Sequence, residues 1–324
     1  MPVSNGIPWV QTYLGHQLRM PEFNGQTRAT ANLAALAELL KPEPDPAILA
    51  NYEGWADARV RNWVFDITGA VKPEHRALRQ FDRLASELNI HHEALLNAGA
   101  LTAYFTPLPI CESMWQIALR ALRRPLRTII EPSAGTGRFL ISQPVLSTSH
   151  AVQQLAIEPD PVFSRILRHR FPLWSVRATT LEASGPQNPC ADLIIGNAPF
   201  GDWGVVDLHA PPMLRHKYLQ AKVHDYFVCK AVSLLNPGGV VAMISHNSTM
   251  DREEVGVREW LNEHAELVAA YRLPANLWEG QGAAPVSDVL VMRRRGWWKS
   301  RSYKKREHHD CTTKFISCRA READ

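Results

Sequence analysis

In Asp192-Leu193-Ile194-Ile195-Gly196-Asn197-Ala198-Pro199-Phe200, an apolar run stops at an asparagine and turns through a proline. A short apolar run bounded by turn residues reads as a strand buried on both faces of a parallel sheet. Upstream, a second apolar run, Ile129-Ile130, passes directly into Glu131-Pro132-Ser133-Ala134-Gly135-Thr136-Gly137. Gly137 and Asn197 lie 60 positions apart. Two strand-then-loop signatures in this order predict a cofactor loop and a substrate loop at neighbouring strand ends of one sheet.

Around this pair the chain alternates. Strands are expected at 127–131, 153–158, 173–177, 191–196, 240–245, 266–272 and 289–292. Helices are expected at 111–123, 137–145, 160–170, 224–235 and 252–264. Such alternation implies βαβ units and an α/β fold with a doubly wound, mostly parallel sheet of Rossmann-like type. No helical pattern separates the last two strands, which predicts an antiparallel hairpin at one edge. Asn236-Pro237-Gly238-Gly239 is expected to stop a helix and turn the chain.

Residues 1–98 read as a helical N-terminal region. Ala31 to Leu40 forms a short apolar helix that ends before Pro42, Pro44 and Pro46, and 75–97 carries Leu78, Phe81, Leu84 and Leu88 at helical spacing. The α/β domain is expected over 99–295. The remainder, 296–324, is basic and without periodicity, and is expected to be disordered or loosely attached.

A chain of 324 residues, 45% of them hydrophobic, can bury a sizeable core. It carries neither a signal-peptide pattern nor an apolar run long enough to span a bilayer, so it reads as a soluble, cytoplasmic protein with no membrane partner. Cys111, Cys190, Cys229, Cys311 and Cys318 form no paired motif and are expected to be free thiols. His308, His309, Cys311 and Cys318 match no ligand spacing, so no metal is expected. The net charge of +4 permits a polyanionic partner. Arginines gather at Arg120, Arg123, Arg124 and Arg127 and at Arg165, Arg168 and Arg170, where a solvated helix face and phosphate contact are both open readings.

The first loop brings main-chain amides close to a ligand, with Gly135 and Gly137 removing side chains where it must approach. The full GxGxxG of dinucleotide sites is absent, and no Gly-Lys-Ser/Thr follows as a phosphate loop would need. S-adenosylmethionine has no phosphate and needs neither. Glu158, in Ile157-Glu158-Pro159-Asp160 after the second strand, is placed to accept from both ribose hydroxyls, with a helix-terminal acid as the alternative. Thr180 and Glu182 are the candidates beside the adenine ring.

The second loop suits an exocyclic aromatic amine, a poor nucleophile because its lone pair is delocalised. Two acceptors aimed at the amino hydrogens favour a pyramidal nitrogen. Asn197 offers a side-chain oxygen and Ala198 a main-chain carbonyl; Pro199 stiffens the turn, and Phe200 is expected to stack on the base. A base within a duplex must first be rotated out or already be unpaired. The bland alternative is a simple strand-to-turn transition. Pro189-Cys190 is not read as a nucleophile, because Cys190 precedes the strand that Asn197 ends.

These residues resemble the amino-methylating DNA adenine methyltransferases with Asn-Pro-Pro-Phe/Tyr motifs, in their gamma arrangement. Ala103-Tyr104-Phe105-Thr106-Pro107 resembles the motif that precedes the glycine loop and touches the methionine part of the cofactor. More narrowly, the chain is similar to the methyltransferase part of phage and mobile-element methylase–helicase proteins of antirestriction type. Tyr52-Glu53-Gly54-Trp55, His224-Asp225-Tyr226-Phe227, Leu235 to Gly239 and Ser287-Asp288-Val289-Leu290 carry that likeness, which covers 30–293. The resemblance implies an S-adenosylmethionine-dependent methyltransferase fold, adenine-specific DNA methylation, and DNA as partner. It further implies a role in restriction–modification or antirestriction, with a separate helicase or recognition subunit as a further candidate partner. It places Tyr104, Thr106, Pro107, Glu131, Pro132, Ser133, Ala134, Gly135, Gly137, Glu158 and Asn197 on the cofactor, and Asn197, Ala198, Pro199 and Phe200 at the acceptor. Ala198 departs from the family's first proline, which keeps the carbonyl and loosens the loop. No helicase sequence follows Arg293, so a truncated remnant acting as an inactive DNA-binding or assembly module is one alternative. Methylation of RNA or of a protein glutamine amide is the other.

Overall fold

The computed structural model of the chain describes residues 25–55, 60, 64–65, 70, 72, 80–96, 105–146, 151–184, 188–207, 222–274, 277–278 and 285–296. The elements are α1 (Gly25–Glu38), α2 (Pro46–Leu49), α3 (Gln80–Glu87), α4 (His92–Leu96) and α5 (Leu108–Ala121). There follow β1 (Thr128–Glu131), α6 (Arg138–Ile141), β2 (Gln153–Ile157), α7 (Pro161–Arg170), β3 (Ser175–Arg177), α8 (Leu181–Ser184) and β4 (Ala191–Asn197). The described part ends with α9 (Val223–Leu234), β5 (Leu235–His246), α10 (Ser248–Asp251), α11 (Gly256–His264), β6 (Ala265–Leu273) and β7 (Ser287–Arg294).

Among the described residues the strands form one seven-stranded sheet in the order β3-β2-β1-β4-β5-β7-β6. Pairs from β3 through β5 are parallel, while β7 runs antiparallel to both β5 and β6. The expected hairpin is present, and its second strand lies inside the first. Alternation along each central strand fills both faces. Ile130, Ile194, Val241, Met243 and Leu290 pack under α9 and α11, while Ile129, Leu193, Ile195, Ala242 and Val291 pack under α5 and α6. Each fully buried aliphatic side chain contributes about 1.5–3 kcal/mol, which fixes strand register because a one-residue slip would exchange the two faces.

Local chemistry sets the helix ends. Asp160 accepts from the amides of Val162 and Phe163 at 2.8 and 3.0 Å, with Pro161 at the first helical position of α7. One face of α5 buries Ile110, Cys111, Met114, Trp115 and Ala118, and the helix ends at Ala121, before Pro125. The N-terminal residues build a core of their own around Leu36, Tyr52, Trp55 and Phe81, and it closes against Val162, Phe163 and Ile166 of α7. Tyr52 meets Phe163 edge-on at 5.4 Å.

Several boundaries differ from the sequence reading. The helix expected over 75–97 is, among the described residues, two helices separated by Asn89 in the left-handed region at φ 52°. The helix expected over 252–264 begins only at Gly256, as α11; the short helix α10 precedes it, and Arg252 to Val255 lie between the two. Asn236 to Gly239 is no free turn. It lies within β5 as a register shift: Leu235 pairs with Ala191, and regular pairing resumes at Val240 opposite Leu193. The stretch 297–324, with His308, His309, Cys311 and Cys318, lies outside the described residues. Among those described, no helix is long and apolar enough to cross a membrane, and no group of three or more His, Cys, Asp or Glu could hold a metal ion.

Candidate functional site

β1, β2 and β4 are neighbours, and their carboxyl ends carry Glu131, Glu158 and Asn197 to one edge of the sheet. The loop after β1 is folded by its own backbone: Ala134 N donates to Ile157 O at 3.0 Å, and Gly137 N to Ala134 O at 2.8 Å. Gly137 sits at φ 80°, and a Cβ there would lie 2.5 Å from the Phe171 ring. Only glycine satisfies both the dihedral and the space. The second loop is fixed to β5 by Ala198 N donating to Ile244 O at 2.9 Å. One bond joins the two loops directly, from Ser133 Oγ to Asn197 O at 2.7 Å.

Between them lies a cleft of about 470 Å³. Glu131 through Thr136, Glu158, Asn197 and Pro199 line it, together with Phe105 and Thr106 from the segment before α5. Thr180, Leu181 and Glu182 close the β3 side, and Trp203, Val205, Val223 and Phe227 close the β4 side. A concave, mainly apolar space with a few convergent polar groups is the expected form of a small-molecule site.

The electrostatics are unusual for a protein interior. Glu131 is 1% exposed and its Oε2 has no hydrogen-bond partner; burial, then the nearby charge of Glu158, push its pKa well above the ordinary carboxylate range. Glu158 is 7% exposed and accepts from Gly135 N at 2.7 Å and Asp160 N at 2.9 Å. Burial and the charge of Asp160 outweigh those bonds and raise its pKa to about 7. Two acids held this way favour a ligand that brings positive charge and hydroxyl donors. The buried hydroxyls of Thr106 and Thr136, also without partners, add two more polar atoms to the same lining. The sulfonium and ammonium groups and the ribose diol of S-adenosylmethionine fit this donor set.

Of the residues expected at the site, Thr106, Glu131, Pro132, Ser133, Ala134, Gly135, Glu158, Asn197 and Pro199 line the cleft. Gly137 acts behind it as the turn, and Pro107 caps α5 rather than facing the space. Tyr104 lies outside the described residues. Phe200 is not among the lining residues; it is buried and packs edge-on against Trp278 at 6.4 Å and His246 at 5.9 Å. An apolar ring at that position gains more from the core on the face of β5 and β7 than from the rim. The sequence reading missed Val205, whose only signal was apolar character beside the second loop, and named Phe227 only within the His224 to Phe227 likeness, without a place in the site.

The arginine clusters resolve mostly into structural bonds. Arg165, Arg168 and Arg170 donate to the carbonyls of Leu88, Val176 and Thr136, and Arg124 donates to that of Pro237. Cys190 stands at the opposite end of β4 from Asn197, half-buried, with its thiol pKa raised by burial.

No family profile matches the chain. Over 199 residues, 60% of its length, it is 29% identical to the defense against restriction protein B of Escherichia phage P1, and spans 8% of that protein. Over 109 residues, 30% of its length, it is 36% identical to the type II methyltransferase M.XamI of Xanthomonas campestris pv. amaranthicola, and spans 19% of it. Its fold matches that of a Listeria monocytogenes protein assigned to the class I S-adenosylmethionine-dependent methyltransferases. The TM-score is 0.52 at 14% identity, over 84% of this chain and 88% of that one.

Proposed function

We propose that this chain, which has the fold of the S-adenosylmethionine-dependent methyltransferases, transfers a methyl group to the exocyclic amino nitrogen of adenine in DNA. The observation that carries the reading is the single cleft shared by the Gly135 and Asn197 loops, with Ser133 bonded to the main chain of Asn197. The similarity to an antirestriction protein and to a restriction–modification methyltransferase supports it. In this reading 99–295 is the transferase domain, 1–98 is a helical N-terminal region, and the protein works in the cytoplasm with DNA and a separate recognition subunit or helicase.

When bound, S-adenosylmethionine supplies an electrophilic methyl group on a sulfonium with a good leaving group. The chain's own residues do the rest. Glu131 stabilises the cofactor's positive charge, and Glu158 accepts from the ribose hydroxyls while its backbone bonds hold the carboxylate in place. Thr180 and Glu182 stand beside the space for the adenine ring. Asn197 and the carbonyl of Ala198 accept from the two amino hydrogens of the acceptor. That withdraws the nitrogen lone pair from conjugation and aims it at the donor, an interaction strongest in the transition state. Pro199 limits the freedom of those acceptors, and Phe200 supports the loop from below. Trp203 and Phe227 supply the aromatic surface expected of Phe200, where a rotated-out base gains about 1–3 kcal/mol from stacking.

The test is calorimetric titration with S-adenosylmethionine, followed by tritium transfer to DNA, RNA and a protein release factor offered separately. Micromolar binding and label in DNA alone are expected. Label in RNA or release factor would move the substrate assignment, and no binding under native conditions would overturn the reading.

A further inference from the structure

Every residue of α9 is buried, yet it carries His224, Asp225, Lys230 and Ser233. His224 and Asp225 are met by α10 and its flank: His224 Nε2 lies 3.0 Å from Ser248 Oγ, and Asp225 accepts from Thr249 Oγ1 and Arg252 Nη2, each at 2.9 Å. Ser233 Oγ donates to the carbonyl of Lys230 at 2.7 Å. Lys230 is met from elsewhere. Its Nζ lies 2.7 Å from Oδ2 of Asp207, and the Tyr226 hydroxyl donates to the same oxygen at 2.7 Å. The side chains of Lys230 and Asp207 are 1% and 3% exposed.

Asp207 ends the described stretch that leaves β4 after Asn197. Within that stretch Trp203 and Val205 line the cleft, and from α9 Val223 and Phe227 line it too. Lys230 follows Phe227 by three residues and Tyr226 precedes it by one, so a single helix supplies part of the wall and the anchor for the rest. The Trp203 ring lies directly over Gly201, where a Cβ would be 1.8 Å from Cζ3. A second ion pair, between Lys222 and Asp202, crosses the same loop at its exposed side. Charges taken out of water gain little net stability over apolar side chains of the same size. What the buried pair supplies is position, because an ammonium shut off from water has few alternative partners.

We infer that Lys230 and Tyr226, acting through Asp207, are positioning residues that hold Trp203 and Val205 against α9 as the acceptor-side wall of the cleft. The assignment of that wall to the acceptor rests on the proposed methyltransferase reading; the clamp itself does not.

The experiment is hydrogen exchange on the full chain, paired with cofactor titration and methyl-transfer kinetics. In Lys230→Met, amides of 201–207 should exchange at least tenfold faster while those of Ile129 to Glu131 keep their wild-type rates. Transfer to DNA should lose about tenfold in kcat, with cofactor Kd changed less than threefold, a split that general destabilisation would not give. Tyr226→Phe should show the same pattern at about threefold and serves if Lys230→Met does not fold. Unchanged exchange over 201–207 in a folded variant, or a uniform rise that includes β1, would overturn the clamp. If the wild-type chain transfers no methyl group, exchange still decides the clamp, and the failure belongs to the functional reading.

Discussion

Asp192 and Glu131 are equally buried acids on neighbouring strands, one at the amino end of β4 and the other at the carboxyl end of β1, and the chain serves them in opposite ways. Asp192 Oδ2 accepts from the amides of Arg127 and Thr128 at 2.8 and 3.1 Å. Its Oδ1 accepts from Asn236 Nδ2 at 2.9 Å and faces Arg124 Nε at 2.6 Å. Glu131 Oε2 has no such donor and has Glu158 as an electrostatic opponent. A carboxylate satisfied from within is a structural joint. One left with an open oxygen beside a second acid burdens the fold, and makes sense only toward a ligand that brings its own donors.

Removing the joint should have the largest effect. Asp192→Ala removes the ion-pair partner of Arg124 and the acceptor of Asn236 and of the Arg127 and Thr128 amides, and should cost about 3–5 kcal/mol. Urea denaturation of the ligand-free chain measures it; a loss below ~1 kcal/mol would put both acids on the same footing. At the other end of the sheet, Asn197→Ala should leave folding intact and slow methyl transfer to DNA by about 10²–10³-fold. Normal turnover in a folded variant would remove Asn197 from the chemistry.

Glu158 sharpens the contrast through pH. Its folded pKa of about 7 lies above the ordinary value of 4.5, so its contribution is fully present below pH 4.5 and is lost as pH rises through 7. Ligand-free stability should fall across that window by on the order of 3 kcal/mol relative to Glu158→Gln. Cofactor affinity should move the other way, tightening from pH 6 to pH 8, since hydroxyl donors favour the ionised carboxylate. Affinity that is flat across this range would remove Glu158 from the binding site. The smallest effect is assigned to Glu131→Gln, which should weaken cofactor binding about tenfold, or ~1.4 kcal/mol, without lowering ligand-free stability. A stability loss approaching that of Asp192→Ala would erase the distinction between the two acids.

The sheet was legible because its strands are apolar runs between breakers, and both loops were legible because glycine, asparagine and proline have specific backbone uses. What escaped the sequence depends on long-range packing. Phe200 looks like a stacking ring beside Asn197, but Trp278, seventy-eight residues on, provides a better-buried place for it. Asn236 to Gly239 looks like a turn, and only the pairing of β5 with β4 shows it as an irregularity inside a strand. The burial of Lys230 beside Asp207 has no signal in the local sequence pattern. Glu131 and Glu158 were visible as acids at strand ends, but their shared burial was not.

The insertion of β7 between β5 and β6 has a consequence for how the protein is made. Forty-one positions separate the end of β5 at His246 from the start of β7 at Ser287. At ~5–20 residues per second, a ribosome needs roughly 2–8 s to supply the missing neighbour. Throughout that interval the newborn chain displays an adhesive apolar ribbon, the kind of edge on which nascent proteins aggregate. Yield in a cell should therefore respond to chaperone supply and translation speed, and slow codons between 247 and 286 should lower it.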